Sequence, residues 1–232
     1  MRADTFARLL VLETVLDAEI GYLLEHRPPA EAHFREGMVA RLGEQVEAID
    51  ALDVVAAARV YDALVDFLTE LPDDDDGVVE ATIRFKRAVD RSIQRAFAGR
   101  EPDDAATWAV VLDELLSAVA AEYRAAFAAG EAPAPREYLR ARALLGRARL
   151  VSERMTAGER PEQRAQVRDE MDRLVFALRY RRVPPEVLER MMEAPQRLAR
   201  RRRPSNLARI GAFVVGQLLR RRAAAAEGTE TA

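Results

Sequence analysis

Apolar side chains recur every three or four residues along almost the whole chain, and strict alternation is hard to find. This spacing constrains the fold more than any other feature, because it lays a stripe along a helix and gives no consistent face to a strand. Phe6, Leu9, Leu10, Leu16, Ile20, Leu23 and Leu24 form the first such stripe. Arg27-Pro28-Pro29 ends it, since proline lacks the amide donor and crowds the preceding turn. The same reading predicts helices over about 30–49, 53–71 and 78–97, with Pro72 to Gly77 as a turn. A fifth helix, capped by Asp103 or Asp104, carries Trp108, Val111, Leu112, Leu115, Leu116 and Val119 and ends near Gly130. Four more follow at about 136–157, 161–182, 185–202 and 205–226, with Pro161 and Pro185 in first turns, where proline is welcome. The expected fold class is all-α: a multi-helix bundle of about nine helices with no sheet. A chain of 232 residues is long enough to bury a core for it without disulfides.

Charge divides the chain. The overall balance is -3. Residues 1–135 hold 13 basic against 27 acidic side chains, whereas 136–222 hold 23 arginines against 10 acidic side chains. The sign changes at Ala132-Pro133-Ala134-Pro135, the clearest linker. The expected organisation is therefore an acidic helical bundle over 1–131, a basic arginine-rich helical region over 136–222 and a disordered tail over 223–232. All but one of the basic residues are arginine, Lys86 being the exception. Codon bias accounts for arginine over lysine, but not for its concentration in one half.

Scarcity excludes several chemistries. Without cysteine there is no disulfide, thiolate nucleophile or thiolate-bound metal. The chain has four serines and two histidines, and no nucleophile elbow, phosphate-binding loop or dinucleotide glycine fingerprint. Asp73–Asp76 fails as a calcium loop: with Gly77 at position six, Pro72 and Ile83 fall where a carboxylate ligand and a bidentate glutamate belong. It reads as a solvated turn at the positive end of a helix. His26 and His33 flank a proline break instead of sharing a helix face, so they read as ordinary helix-end histidines and the role of either stays open. Enzyme activity, cofactor and metal site are all expected to be absent. The N-terminal apolar stretch is interrupted by Glu13 and Asp17, unlike a secretory signal, and 210–219 is too short to span a membrane. A cytoplasmic location is expected.

Arginine supplies the candidate site. Arg136, Arg140, Arg147 and Arg154 are spaced by 4, 7 and 7 residues. On a helix they fall within about 40° of one another, in a column about 27 Å long. Tyr138, Leu144, Leu145, Val151 and Met155 form the adjoining apolar face. A second cluster, Arg200, Arg201, Arg202 and Arg203, precedes an apolar helix that ends in Arg220, Arg221 and Arg222. Planar guanidinium forks suit phosphate or carboxylate. The leading expectation is a non-catalytic binding or assembly protein whose arginine-rich half contacts an anionic partner, foremost nucleic acid backbone and otherwise an acidic protein surface. Aromatic residues interleaved with that half, Tyr138, Phe176 and Tyr180, are few for base stacking. The alternative is a protein–protein adaptor whose acidic and basic halves pair with each other, within or between chains, and which docks a partner through residues 205–222. Homo-oligomers are compatible with both. A carboxylate-dependent or metal enzyme is the third reading.

Overall fold

The computed structural model describes residues 3–26, 39–50, 54–69, 75–96, 104–130, 132–181 and 183–202. Among them are eight α-helices and one π-helical turn, and no strand. They are α1 (Ala3–His26), α2 (Val39–Asp50), α3 (Val54–Thr69), α4 (Asp75–Ala96), α5 (Ala105–Ala126), α6 (Pro135–Met155), α7 (Pro161–Phe176) and α8 (Pro185–Arg202). The π turn, Ala177–Arg181, continues directly from α7. The fold is all-α as expected, with eight α-helices rather than about nine among the described residues. The helix expected over 205–226 and the tail over 223–232 lie outside them.

Local chemistry accounts for several helix ends. Asp104 caps α5, its carboxylate accepting the Thr107 amide at 2.6 Å. After α5 the chain turns through Gly130, whose φ of +147° is open to glycine alone without strain. Pro135 and Pro161 occupy first-turn positions of α6 and α7, where no intrahelical donor is lost. α4 starts at Asp75, earlier than the apolar pattern implied, so part of the aspartate run lies inside its first turn. Carboxylates are tolerated there by the helix dipole.

α1 is the centre of the molecule. Leu9, Leu12, Leu16 and Leu23 pack with α2, α3 and α4 in one apolar cluster. Phe6, Ala7, Leu10 and Val11 pack with α5, α6, α7 and α8 in the other. A helix buried on opposite sides must be apolar nearly all round there, and α1 is so over residues 6–12, broken only by Arg8. Leu24, assigned to the apolar stripe, is 61% exposed, whereas its neighbour Leu23 is buried. α5 and α6 form an antiparallel pair joined by the 127–134 turn, and α8 lies along α5. The residues around the charge-reversing linker thus belong to one apolar cluster, with Trp108 to Ala126 on one side and Tyr138 to Met155 on the other.

Candidate functional site

Three members of the arginine column of α6 face acids of α1, Arg140 buried and Arg147 part-exposed, while Arg154 at the far end is exposed. The Arg136 Nε donates to Glu19 at 2.9 Å. Arg140 also donates to Glu19 and stands 3.6 Å from Glu122 of α5. Side-chain exposure is 2% for Arg140 and 1% for Glu19, so this charge cluster sits in the interior. Two turns further, Arg147 meets Glu13 at 3.0 Å. At the far end the Arg154 guanidinium lies 4.9 Å from the centre of the Trp108 ring, which Phe6 contacts edge-on at 5.7 Å. Rising numbers on α6 meet falling numbers on α1, so the two helices are antiparallel, with Arg136 and Arg140 sharing Glu19 and Arg147 meeting Glu13.

Burial sets the electrostatics of this seam. Taking charges out of water is costly, and mutual attraction offsets the cost only where both partners are well placed. Burial pushes the Glu13 carboxyl above the usual glutamate range, more strongly than Arg147 draws it down. Burial likewise lowers Arg136, with the charge of Glu19 opposing. Across α1, Lys86 of α4 bridges Asp17 at 3.4 Å and Asp90 at 3.0 Å. Burial would depress this lysine, but the hydrogen bond it donates to Asp90 and the surrounding carboxylates raise it overall.

The second cluster is divided. Arg200 meets Asp113 of α5 at 3.2 Å. Arg202 meets Glu159 at 2.6 Å and donates to the Met155 carbonyl at 3.0 Å, tying the end of α8 to the α6–α7 turn. Arg201 is exposed and lines a cleft of about 270 Å³ between α7 and α8, with Gln163, Gln166 and Arg197. Arg203, Arg220, Arg221 and Arg222 lie outside the described residues.

Different arginines face the solvent. Arg160, Arg164, Arg168, Arg173 and Arg179 are exposed along α7 and its π turn, and among the described residues none has a carboxylate within ion-pair distance. Beside the last two stand Phe176 and Tyr180, 49% and 72% exposed, with ring centres 5.2 Å apart. The stretch 173–182 contains four arginines and no acidic residue. This surface is held from beneath: the Tyr138 hydroxyl donates to the Leu178 carbonyl and the Tyr123 hydroxyl to the Val183 carbonyl, each at 2.6 Å. Sequence reasoning named Phe176 and Tyr180 but gave no weight to the arginines around them, because their spacing does not form a straight column.

His26 closes α1 with its ring stacked on Tyr22, centres 4.5 Å apart, while His33 lies outside the described residues. Among the described residues no group of three or more histidine and acidic side chains is placed to hold a metal. None of the described helices is long and apolar enough to cross a membrane. Compared with protein-family models, with curated proteins and with solved structures, the chain matches none.

Proposed function

We propose that this chain is a non-catalytic helical adaptor or assembly protein acting in the cytoplasm, with many of its opposite charges engaged inside its own fold. The observation that supports this reading is the capture of Arg136, Arg140 and Arg147 by Glu13, Glu19 and Glu122. A guanidinium already bonded to a buried carboxylate is a poor contact for phosphate, since the exchange would strand that carboxylate. Recognition then falls to surfaces outside the seam, including the apolar face that the sequence carries over 205–222.

A second reading, contact with nucleic acid backbone, draws on the exposed arginines of α7. The same helix bears Glu162, Asp169, Glu170 and Asp172, so its surface is mixed in sign. Titration of short duplex and single-stranded nucleic acid across a salt series separates the two. The adaptor reading expects no binding that steepens as salt falls. Affinity with a steep salt slope, weakened by Arg164→Ala and Arg168→Ala, would replace it with the nucleic-acid reading.

A further inference from the structure

Among the described residues α8 has a cleft on each side, and the two differ in charge. The cleft toward α7 sets Arg197, Arg201 and Arg202 against Glu170 alone. Toward α5 runs a wider groove of about 660 Å³, with Ser117, Ala120 and Ala121 of α5 on one side and Glu186, Glu189 and Glu193 of α8 on the other. Two arginines also line it, and both are engaged: Arg124 meets Glu189 at 2.5 Å, and Arg190 donates to the Glu186 carbonyl at 3.3 Å. The Glu186 carboxylate has no ion-pair partner among the described residues. α8 ends at Arg202, and Pro204 follows. Over 203–226 the sequence holds five arginines and no acid, with Leu207, Ile210, Val214 and Leu218 at helical spacing.

We infer that residues 205–222 fold back along α8 into the α5–α8 groove of the same chain, setting Arg220 to Arg222 beside Glu186 and covering the apolar face until a partner displaces it. This rests on the adaptor reading above and adds its regulation. Chain continuity and charge select the occupant. A connection as short as Arg203-Pro204 makes the next helix an antiparallel neighbour of the last. That tether also gives the segment a local concentration of about millimolar, ahead of any second copy. Of the two sides open to it, the α7 cleft repels a purely basic segment and the α5 groove attracts one. Register agrees. Asp113 meets Arg200 and Arg124 meets Glu189, so α5 and α8 are antiparallel and a segment returning along α8 runs parallel to α5. Helices rise alike, so a turn at 203–204 brings Val214 level with Glu193 and Ala120, and Arg221 level with Glu186. The small side chains of α5 at that level let a third helix approach closely.

The test uses the full chain, which has no cysteine, so an introduced pair is unique. Ala120→Cys with Val214→Cys should close a disulfide within one chain under mild oxidation, read as a faster-migrating monomer on a non-reducing gel. Gln166→Cys with Val214→Cys, which places the first thiol on the α7 side, should stay reduced. A disulfide at twice the chain's mass gives the groove to a second copy, and closure of the α7 pair puts the segment in the other cleft; either overturns the proposal. Amide exchange across 207–219 is a second readout, free of disulfide geometry. It should be slow in the wild type and quicken in Glu186→Arg with Glu193→Arg, both at exposed positions. Adding Arg220→Glu, Arg221→Glu and Arg222→Glu to that variant should slow it again. Fast exchange in the wild type, or rates indifferent to the charge reversals, overturns the proposal even where neither cysteine pair closes. Circular dichroism checks that each variant folds. Crosslink and exchange are read without any partner, and the adaptor reading is decided by the nucleic-acid titration, so the failure of one is distinguishable from the failure of the other.

Discussion

Glu19 is the residue on which the buried seam turns. It accepts from two arginines of α6 while itself almost wholly inside, so Glu19→Ala strips Arg136 of its acid and leaves the buried Arg140 with Glu122 alone. That loss typically amounts to about 3–5 kcal/mol. Glu13, one and a half turns away, is only partly compensated, and burial raises its carboxyl above the usual range. The folded chain therefore holds a proton on Glu13 at pH values where the unfolded chain has released it. Stability attributable to this group declines as pH rises from the ordinary glutamate range through the raised value. Glu13→Gln should abolish that slope, and urea melts of variant and parent across the window measure it. Parallel pH profiles for the two proteins would show that Glu13 is not the group responsible.

At the scale of elements, α7 and its π turn show how far periodicity can be read. Pro161 and Pro185 mark the beginnings of α7 and α8 in the sequence, and both are where the structure has them. The π turn is not legible, because it widens the helix for one turn without altering which residue types are apolar. What distinguishes it are two hydroxyl donors far away in sequence, Tyr138 of α6 to Leu178 within the turn and Tyr123 of α5 to Val183 just beyond it. Tyr138→Phe removes one of them and leaves the Leu178 carbonyl without that partner in a buried place. A loss of about 1–3 kcal/mol is expected. Amide exchange should quicken across 177–183 while α2 to α4 are unchanged, and uniform protection throughout would deny the pin its role. The arginine column presents the converse case. Its straightness was plain from the spacing of Arg136, Arg140, Arg147 and Arg154, but its target was not. Glu13 and Glu19 are ordinary helix glutamates until the fold lays α1 alongside α6.

For the whole molecule, the decisive fact is that α1 belongs to both apolar clusters. Charge alone divides the chain at residues 132–135, yet α5 and α6 on either side of that linker share a core, because apolar burial outweighs a change of surface sign. Nothing in a linear pattern reveals that one helix is used twice, although the apolar run over residues 6–12, broken only by Arg8, is its trace. Two clusters sharing a helix should unfold together. Leu12 and Leu116 are fully buried in different clusters, so Leu12→Ala and Leu116→Ala should each lower one common transition by about 2–5 kcal/mol. Trp108 fluorescence, from the only tryptophan, and far-UV circular dichroism should report the same midpoint in both variants. Separated midpoints would mean that α1 does not couple the halves.

The central position of α1 has a consequence for the order of events on the ribosome. Glu19 is synthesised 117 and 121 residues before Arg136 and Arg140, and Glu13 is 134 residues ahead of Arg147. At about 5–20 residues per second, that is a delay of about 6–27 seconds. During it α2, α3 and α4 emerge and can close over one side of α1, while the side bearing Phe6, Leu10 and the two glutamates still lacks α6. The nascent chain thus carries a half-finished molecule whose open face is both greasy and acidic. The acids keep that face hydrated until the arginines arrive, so the same carboxylates that end up locked inside first act as a guard against premature clumping.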